Sequence, residues 1–239
     1  MIGVERLADV FVDVADTLVA EFDVIEFLHS VAAHATEMTG AAAAGLMLSD
    51  LDGGLHYMGA SNQSARLLEL FQIQHEEGPC LDCYRSGAPV TETDLTDSSR
   101  WPEFASRALE AGVVSVHAFP MRLRDQVIGA LNVFGEQSRP LDADESRVVQ
   151  ALADLATIAI LQERNIRQAE IVTEQLQFAL NSRIVIEQAK GAVARSQGVS
   201  VEEAFELMRS HARQRRMRLT DLALAIVETP EGPRLLHRD

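Results

Sequence analysis

The chain has 239 residues, 47% hydrophobic and 24% charged, with mean hydropathy +0.00 and a formal net charge of −15, the composition of a soluble globular protein of about one or two domains. No apolar run approaches the ~18 residues a membrane helix needs, and Asp9, Asp13 and Asp16 break up any N-terminal leader pattern. Two cysteines are too few for a disulfide framework, so a cytoplasmic protein with no membrane segment is expected.

In chain order, residues 3–20 place Leu7, Val10, Phe11, Val14 and Leu18 on one stripe, predicting an amphipathic helix within residues 1–22. Asp23, with Glu26 three residues on, predicts the cap of a second helix that runs to Thr39 and stops at Gly40. Ala43–Ser49 and Leu55–Ala60 read as strands of a hairpin joined at Asp52-Gly53-Gly54. A short helix over Ser64–Gln74 follows, then a stretch from His75 to Pro89 that Gly78-Pro79 and Gly87 mark as loop-rich. Trp101–Glu110 is helical and ends at Gly112. Val113–Pro120 and Gln126–Phe134 read as strands, antiparallel across Leu123-Arg124-Asp125.

Helices and sheet segregated in this way give an α+β class. Glu77-Gly78-Pro79-Cys80 and Val127-Ile128-Gly129-Ala130-Leu131-Asn132 resemble stretches of GAF domains, and the resemblance covers residues 23–162. It implies an antiparallel sheet with helices on one face and a ligand pocket on the other, hence a small-molecule effector whose identity is unknown. Lys190 is the only lysine in the chain. That excludes the Asn-Lys-Phe-Asp-Glu signature of cyclic-nucleotide-binding GAF domains, a P-loop with its Gly-Lys pair, and a phosphoacceptor receiver domain.

Pro140 and Asp142-Ala143-Asp144-Glu145 open another helix, and no Gly or Pro occurs from Leu141 to Lys190. The helix closing the first domain is therefore expected to run into the second, with residues 163–176 as linker. Leu152, Leu155, Ala159, Ile166, Ala169, Leu176 and Leu180 fit a heptad seam interrupted by Gln162 and Thr173. The seam predicts a parallel coiled-coil homodimer; the other reading is a single helix packing on its own domain.

Residues 181–227 read as three short helices. The first carries Ile184, Val185, Ala189 and Val193 and ends at Gly198. Ser200-Val201-Glu202-Glu203 is a capping box for the second, with Ala204, Leu207, Met208 and Ala212 toward a core. Leu219, Leu222, Ala223, Ile226 and Val227 stripe the third. Such a bundle buries a small core and is expected to bind rather than catalyse. Beyond it the sequence has Pro and Gly and no period, and residues 233–239 read as a disordered tail.

The run Ser-Arg-x-x-Ile-Glu-x-Ala-Lys-Gly over Ser182–Gly191, then Ala204-Phe205-x-x-Met208-Arg209 and Leu219-x-Asp221-x-Ala223, resembles the ANTAR domain of transcription antitermination regulators. The resemblance covers residues 177–232. It implies a three-helix bundle that binds hairpin loops in mRNA leaders and prevents a terminator from forming. It places Arg183, Glu187, Lys190, Gly191, Phe205 and Arg209 at the RNA; Arg216 shares a helix face with Phe205 and Arg209, and Arg213 and Arg215 read either as a plain solvated joint or as further RNA contacts. From spacing alone, Arg183, Glu187 and Lys190 share a helix face and read either as a solvated face with ion pairs or as an RNA surface. Phe205 reads as core or as a platform for an unstacked base. Residues 1–164 hold 10 Arg against 26 Asp and Glu, a net −16, while residues 165–239 hold 11 Lys and Arg against 10 Asp and Glu, a net +1. Five arginines fall between Arg209 and Arg218.

Cys80-Leu81-Asp82-Cys83 is a lone C-x-x-C with three readings: partly buried thiols, a redox pair, or half a zinc site for which His75 and His117 are the nearest further ligands. His117, in a strand expected to line the pocket, reads as a sensor residue able to bind haem iron or as an ordinary hydrogen-bonded histidine. Catalytic residues are not expected, since Asp94, Asp97, Ser98 and Ser99 are a plain loop composition. The whole chain is thus read as a GAF-like sensor controlling an ANTAR-like RNA-binding module. The rivals are a thiol-based redox protein or enzyme whose bundle serves dimerisation, and a purely protein-binding regulator.

Overall fold

The computed structural model describes residues 23–50 and 52–229, with Val10 and Val12. Apart from those two valines, the expected N-terminal helix lies outside the described residues, as do Leu51 and the tail from residue 230. Two compact units divide between Arg164 and Asn165.

The first unit opens with α1 (Val24–Thr39), whose orphan N–H groups are met by Asp23, a side chain that accepts from the Ile25 and Glu26 amides. Gly40, at φ 63°, closes it in the left-handed region that costs a glycine nothing. Strands β1 (Ala43–Ser49) and β2 (Leu55–Ala60) form the expected hairpin, its turn organised by Asp50, which accepts from the Asp52 and Gly54 amides. Next come α2 (Gln63–His75), α3 (Pro79–Ser86), the three-residue strand β3 (Val90–Glu92) and α4 (Pro102–Glu110). Then β4 (Ser115–Leu123) and β5 (Gln126–Gly135) pair antiparallel across a turn at Arg124, φ 54°. The sheet order is β2-β1-β5-β4-β3, antiparallel throughout.

Three differences from the sequence reading stand out. The stretch from His75 to Pro89 is not loop-rich but contains α3, with Pro79 at its first turn and Gly87 closing it at φ 63°. Proline at a helix start and glycine past its end are helix boundaries as much as loop signals. Strand β3 escaped notice because three residues carry no period. The sheet, finally, has helices on both faces. Period-2 alternation sends Ala44, Leu46, Leu48, Phe119, Met121, Leu131 and Val133 toward α1 and the start of the long last helix. It sends Ala43, Met47, Val116, Ala118, Ala130 and Phe134 toward α2, α3 and α4.

α5 (Ala143–Gln197) is one helix of 55 residues, opened by Asp142 and Glu145 as a reciprocal cap. Its first turns supply Val149, Leu152, Ala153, Ala156, Ala159 and Ile160 to the first unit's core, with Leu155 packed against it. Arg164 then donates to the Ser49 carbonyl at 2.9 Å. The expected seam is therefore two things: Leu152, Leu155 and Ala159 are walls of their own domain, whereas Ile166, Ala169, Leu176 and Leu180 are exposed.

In the second unit, the end of α5 packs Ala189 and Val193 against α6 (Val201–Arg215) and α7 (Leu219–Glu228), whose core residues are Ala204, Met208, Ala212, Leu222, Ala223 and Ile226. The Ser200–Glu203 capping box forms in both directions. Among the described residues, no helix is long and apolar enough to cross a membrane.

The division of α5 has a measurable consequence. Leu152, 1% exposed, should cost the first unit about 2–5 kcal/mol when replaced by Ala. Leu176→Ala, at a side chain 66% exposed, should leave that unit's midpoint unchanged. Trp101, the only tryptophan and buried in this unit, reports both by fluorescence in a denaturant titration; equal losses would mean the division is wrong.

Candidate functional site

The second unit brings together residues that the sequence separates. Arg183, Glu187, Lys190 and Gly191 lie on α5, Phe205 and Arg209 on α6. Lys190 Nζ stands 5.1 Å from the Phe205 ring centroid and the Arg209 guanidinium 5.7 Å from it, so the ring is held by two cations. Each cation is tied to a carboxylate one turn away: Lys190 donates to both Glu187 oxygens at 2.9 Å, and Arg209 to Glu206 at 3.2 Å. Phe205 is half-buried, neither core nor an open platform. Gly191 is exposed in mid-helix, and a Cβ there would meet nothing within 4 Å.

Arg213, Arg215, Arg216 and Arg218 form a separate basic joint between α6 and α7, all exposed. Arg216 takes φ 52° and its N–H closes α6 onto the Ala212 and Arg213 carbonyls. No carboxylate among the described residues pairs with these four arginines or with the exposed Arg183. The nine residues expected at RNA therefore fall into a patch around Phe205 whose charges cancel in pairs, an unpaired cation at Arg183, and a basic joint.

The sensor residues do not form one site. His117 lies on the sheet face toward α1 and α5, in a cleft of about 370 Å³ with Ser115, Gln137 and Arg139. Burial pushes its imidazole pKa down, against a hydrogen bond to the Arg139 backbone that raises it. Arg139 is engaged by Glu145 at 2.8 and 3.1 Å and by the Thr39 carbonyl at 2.7 Å. Its guanidinium holds the Glu145 carboxyl below the usual range. His75 pairs with Glu103 at 2.9 Å. Among the described residues, no group of three or more His, Cys, Asp or Glu is placed to hold a metal ion.

Cys80 and Cys83 lie on the opposite face of the sheet, fully buried in α3 and unlinked. Burial, with the nearby Glu69 adding to it, pushes the Cys80 thiol well up; burial pushes Cys83 up to about 12. Both are thiols, not thiolates, at neutral pH, which disfavours attack on an oxidant.

Beneath them is a polar cluster that sequence reasoning missed. Glu69, 0% exposed, accepts from Asn132 Nδ2 at 2.7 Å and Gln72 Nε2 at 3.0 Å; Gln72 Oε1 in turn accepts from the Cys80 amide at 2.9 Å. Two glycines make room for it: a Cβ on Gly45 would collide with Glu69, and one on Gly78 with Gln72. Asn132 Oδ1 is buried and unpartnered. Burial raises the Glu69 carboxyl to about 8, against the Asn132 hydrogen bond that lowers it. The available signal was periodicity. Ala65, Leu68, Glu69 and Gln72 share the buried stripe of α2, so a carboxylate stood at a core position of that helix.

The fold is thus an α+β domain with a built polar cluster, followed by a small helical bundle carrying clustered cations around an aromatic ring. The chain belongs to the GAF domain family: the family model of the GAF domain matches residues 23–161, and that of the ANTAR domain matches residues 174–227. No curated protein matches the chain. Among solved structures it is similar to the GAF domain of a phosphoenolpyruvate-protein phosphotransferase from Coxiella burnetii, at 15% identity over 69% of this chain and 98% of that one, TM-score 0.54. It is similar to the phycoerythrobilin-bound GAF domain of a cyanobacterial phytochrome, at 15% over 67% and 97%, TM-score 0.54. It is also similar to free methionine-R-sulfoxide reductase from Neisseria meningitidis, at 18% over 67% and 91%, TM-score 0.52. At these identities the likeness is one of fold.

Glu69 binds its proton more tightly folded than unfolded. The stability it contributes is therefore complete below the usual 4.5 and is lost as pH rises through about 8. Glu69→Gln keeps the shape, and the free Asn132 Oδ1 can accept from the new amide. Its first-unit stability, followed at Trp101, should be flatter than wild type between those pH values; an unchanged slope would place the titration elsewhere.

Proposed function

We propose that the chain is a transcription antitermination regulator in which the GAF domain controls binding of the ANTAR module to hairpin loops in nascent mRNA, without catalysis of its own. The observation that carries this is the arrangement around Phe205: Lys190 and Arg209 on its ring, with the exposed arginine joint on the same bundle. Arginine suits the planar, bidentate recognition of phosphate and base edges. The basic joint supplies the salt-dependent attraction to phosphates, and the patch around Phe205 meets unstacked loop bases. Residues 23–162 form the sensor, 163–176 the connecting segment and 177–232 the RNA module.

The effector site is proposed on the α2–α3 side of the GAF domain, where Glu69, Gln72, Asn132 and the Cys80 amide form a buried polar cluster. Homodimerisation is proposed through the exposed part of the seam, where Ile166, Ala169, Leu176 and Leu180 repeat at heptad spacing. Two modules in one dimer would engage two hairpins with the second binding step made intramolecular.

Two measurements test the reading. In a salt titration of hairpin binding, replacing Arg213, Arg215, Arg216 or Arg218 by Ala should each make the logarithmic salt dependence shallower by about one unit; loss of no affinity in any of them would contradict the assignment. Light scattering should find the wild type dimeric at micromolar concentration and Leu176→Lys shifted to monomer. A wild-type monomer would exclude the dimer.

A further inference from the structure

Glu69, Gln72 and Asn132 are each 0% exposed, and among the described residues no cationic side chain pairs with the Glu69 carboxyl. The groups that face it are the Asn132 amide from β5, the Gln72 amide one turn along α2 and the Cys80 thiol from α3. Strand β1 offers only Gly45, and the collisions a Cβ would meet there and at Gly78 show the space beside Glu69 and Gln72 filled. Cys83 on α3 and Tyr57 on β2 belong to the same core. The charged residues of the surrounding helices have other partners: Arg66 the Tyr57 ring, Asp82 Arg100, Glu103 His75 and Arg107 Glu110.

A carboxyl has two hydrogen-bonding states, and this cluster holds a partner for each. A carboxylate only accepts, and both oxygens of Glu69 do so, Oε1 from Asn132 Nδ2 at 2.7 Å and the other from Gln72 Nε2 at 3.0 Å. The acid must also donate, and the acceptor it needs is Asn132 Oδ1, buried and without a partner. Half a turn of that amide exchanges Nδ2 for Oδ1.

The cluster is tied to two elements of the domain. Helix α3 has no capping side chain of its own. Gln72 Oε1 accepts from the Cys80 amide in its first turn at 2.9 Å, so the residue that holds Glu69 also caps α3. Asn132 stands in β5 between Leu131 and Val133, which face the opposite core that α5 walls.

We propose that the input of the GAF domain is a proton, released from the Glu69 carboxyl to solvent, with the Asn132 amide turning over in answer and the change passing to the cap of α3 and to β5. This rests on the effector site assigned above and names what that site takes. A proton needs no cavity. Its loss leaves a buried charge held by two amides, so the protonated and ionised domains favour different arrangements.

The test is a titration of the full-length protein from about pH 6 to about pH 9. Infrared spectroscopy follows the protonated-carboxyl band, nuclear magnetic resonance the Asn132 side-chain nitrogen, and a pool of RNA hairpins with one stem and randomised loops gives the affinity. Wild type should lose one carboxyl band with a midpoint of about 8. The Asn132 nitrogen should shift with that midpoint, and hairpin affinity should change across it by about five-fold or more. Glu69→Gln, folded by circular dichroism, should lack the band and bind the pool equally throughout the range. Asn132→Leu, which removes the hydrogen bond that favours the carboxylate, should move the midpoint upward. If no band titrates, if the midpoint ignores Asn132→Leu, or if Glu69→Gln keeps the wild-type pH response, the proposal is overturned while RNA binding stands. Hairpin affinity that stays constant while Glu69 titrates would also overturn the sensing role. If wild type binds no hairpin at any pH, the RNA reading fails, and the infrared and resonance titrations still decide proton binding at Glu69.

Discussion

One unbroken helix supplies a wall to two hydrophobic cores, and the rest of the molecule depends on that continuity. Helix α5 buries Val149, Leu152, Ala153, Ala156, Ala159 and Ile160 in the GAF unit and Ala189 and Val193 in the ANTAR unit. Between these, residues 165–181 are exposed throughout. Nothing in that stretch is buried to stabilise it, so its persistence as helix rests on backbone hydrogen bonds and side-chain propensity. The absence of Gly and Pro from Leu141 to Lys190 is what permits this, since one internal proline would cost about 3 kcal/mol and break the ladder. The Arg164 bond to the Ser49 carbonyl marks where the helix stops belonging to the first core.

The two modules solve opposite electrostatic problems. The GAF domain buries a carboxyl, Glu69, and does so by surrounding it with amides and keeping it protonated near neutral pH. Desolvating a carboxylate costs far more than shifting its pKa. The ANTAR bundle keeps Glu187, Arg209 and Glu206 largely in water, and an exposed pair such as Arg209–Glu206 contributes only about 0–1 kcal/mol.

Local chemistry made much of this fold legible. Asp23 and Gly40 delimit α1, Ser200 and Glu203 cap α6, and alternating apolar residues mark β1, β4 and β5, each through interactions within a few residues. What escaped depends on distance in sequence. Helix α4 has no cap of its own, and its Glu103 and Phe104 amides are met by Glu77, 26 and 27 residues earlier. Glu69 meets Asn132 across 63 residues, and no local pattern announces such a pair. The heptad period of Leu152 to Leu180 was real, but a period does not say what covers it; the sheet covers the first part. Around Phe205 the motif named the residues, while the pairing of Lys190 and Arg209 over one ring needed the bundle.

The most direct test of the central claim is ultraviolet crosslinking of the full chain to a pool of nascent leader transcripts, with the crosslinked peptides read by mass spectrometry. A GAF-controlled ANTAR regulator should yield crosslinks in the peptides carrying Lys190, Phe205 and Arg209 and in the joint Arg213–Arg218, and none in residues 23–161. Crosslinks concentrated in the GAF domain, or none above a protein without nucleic-acid affinity, would contradict it.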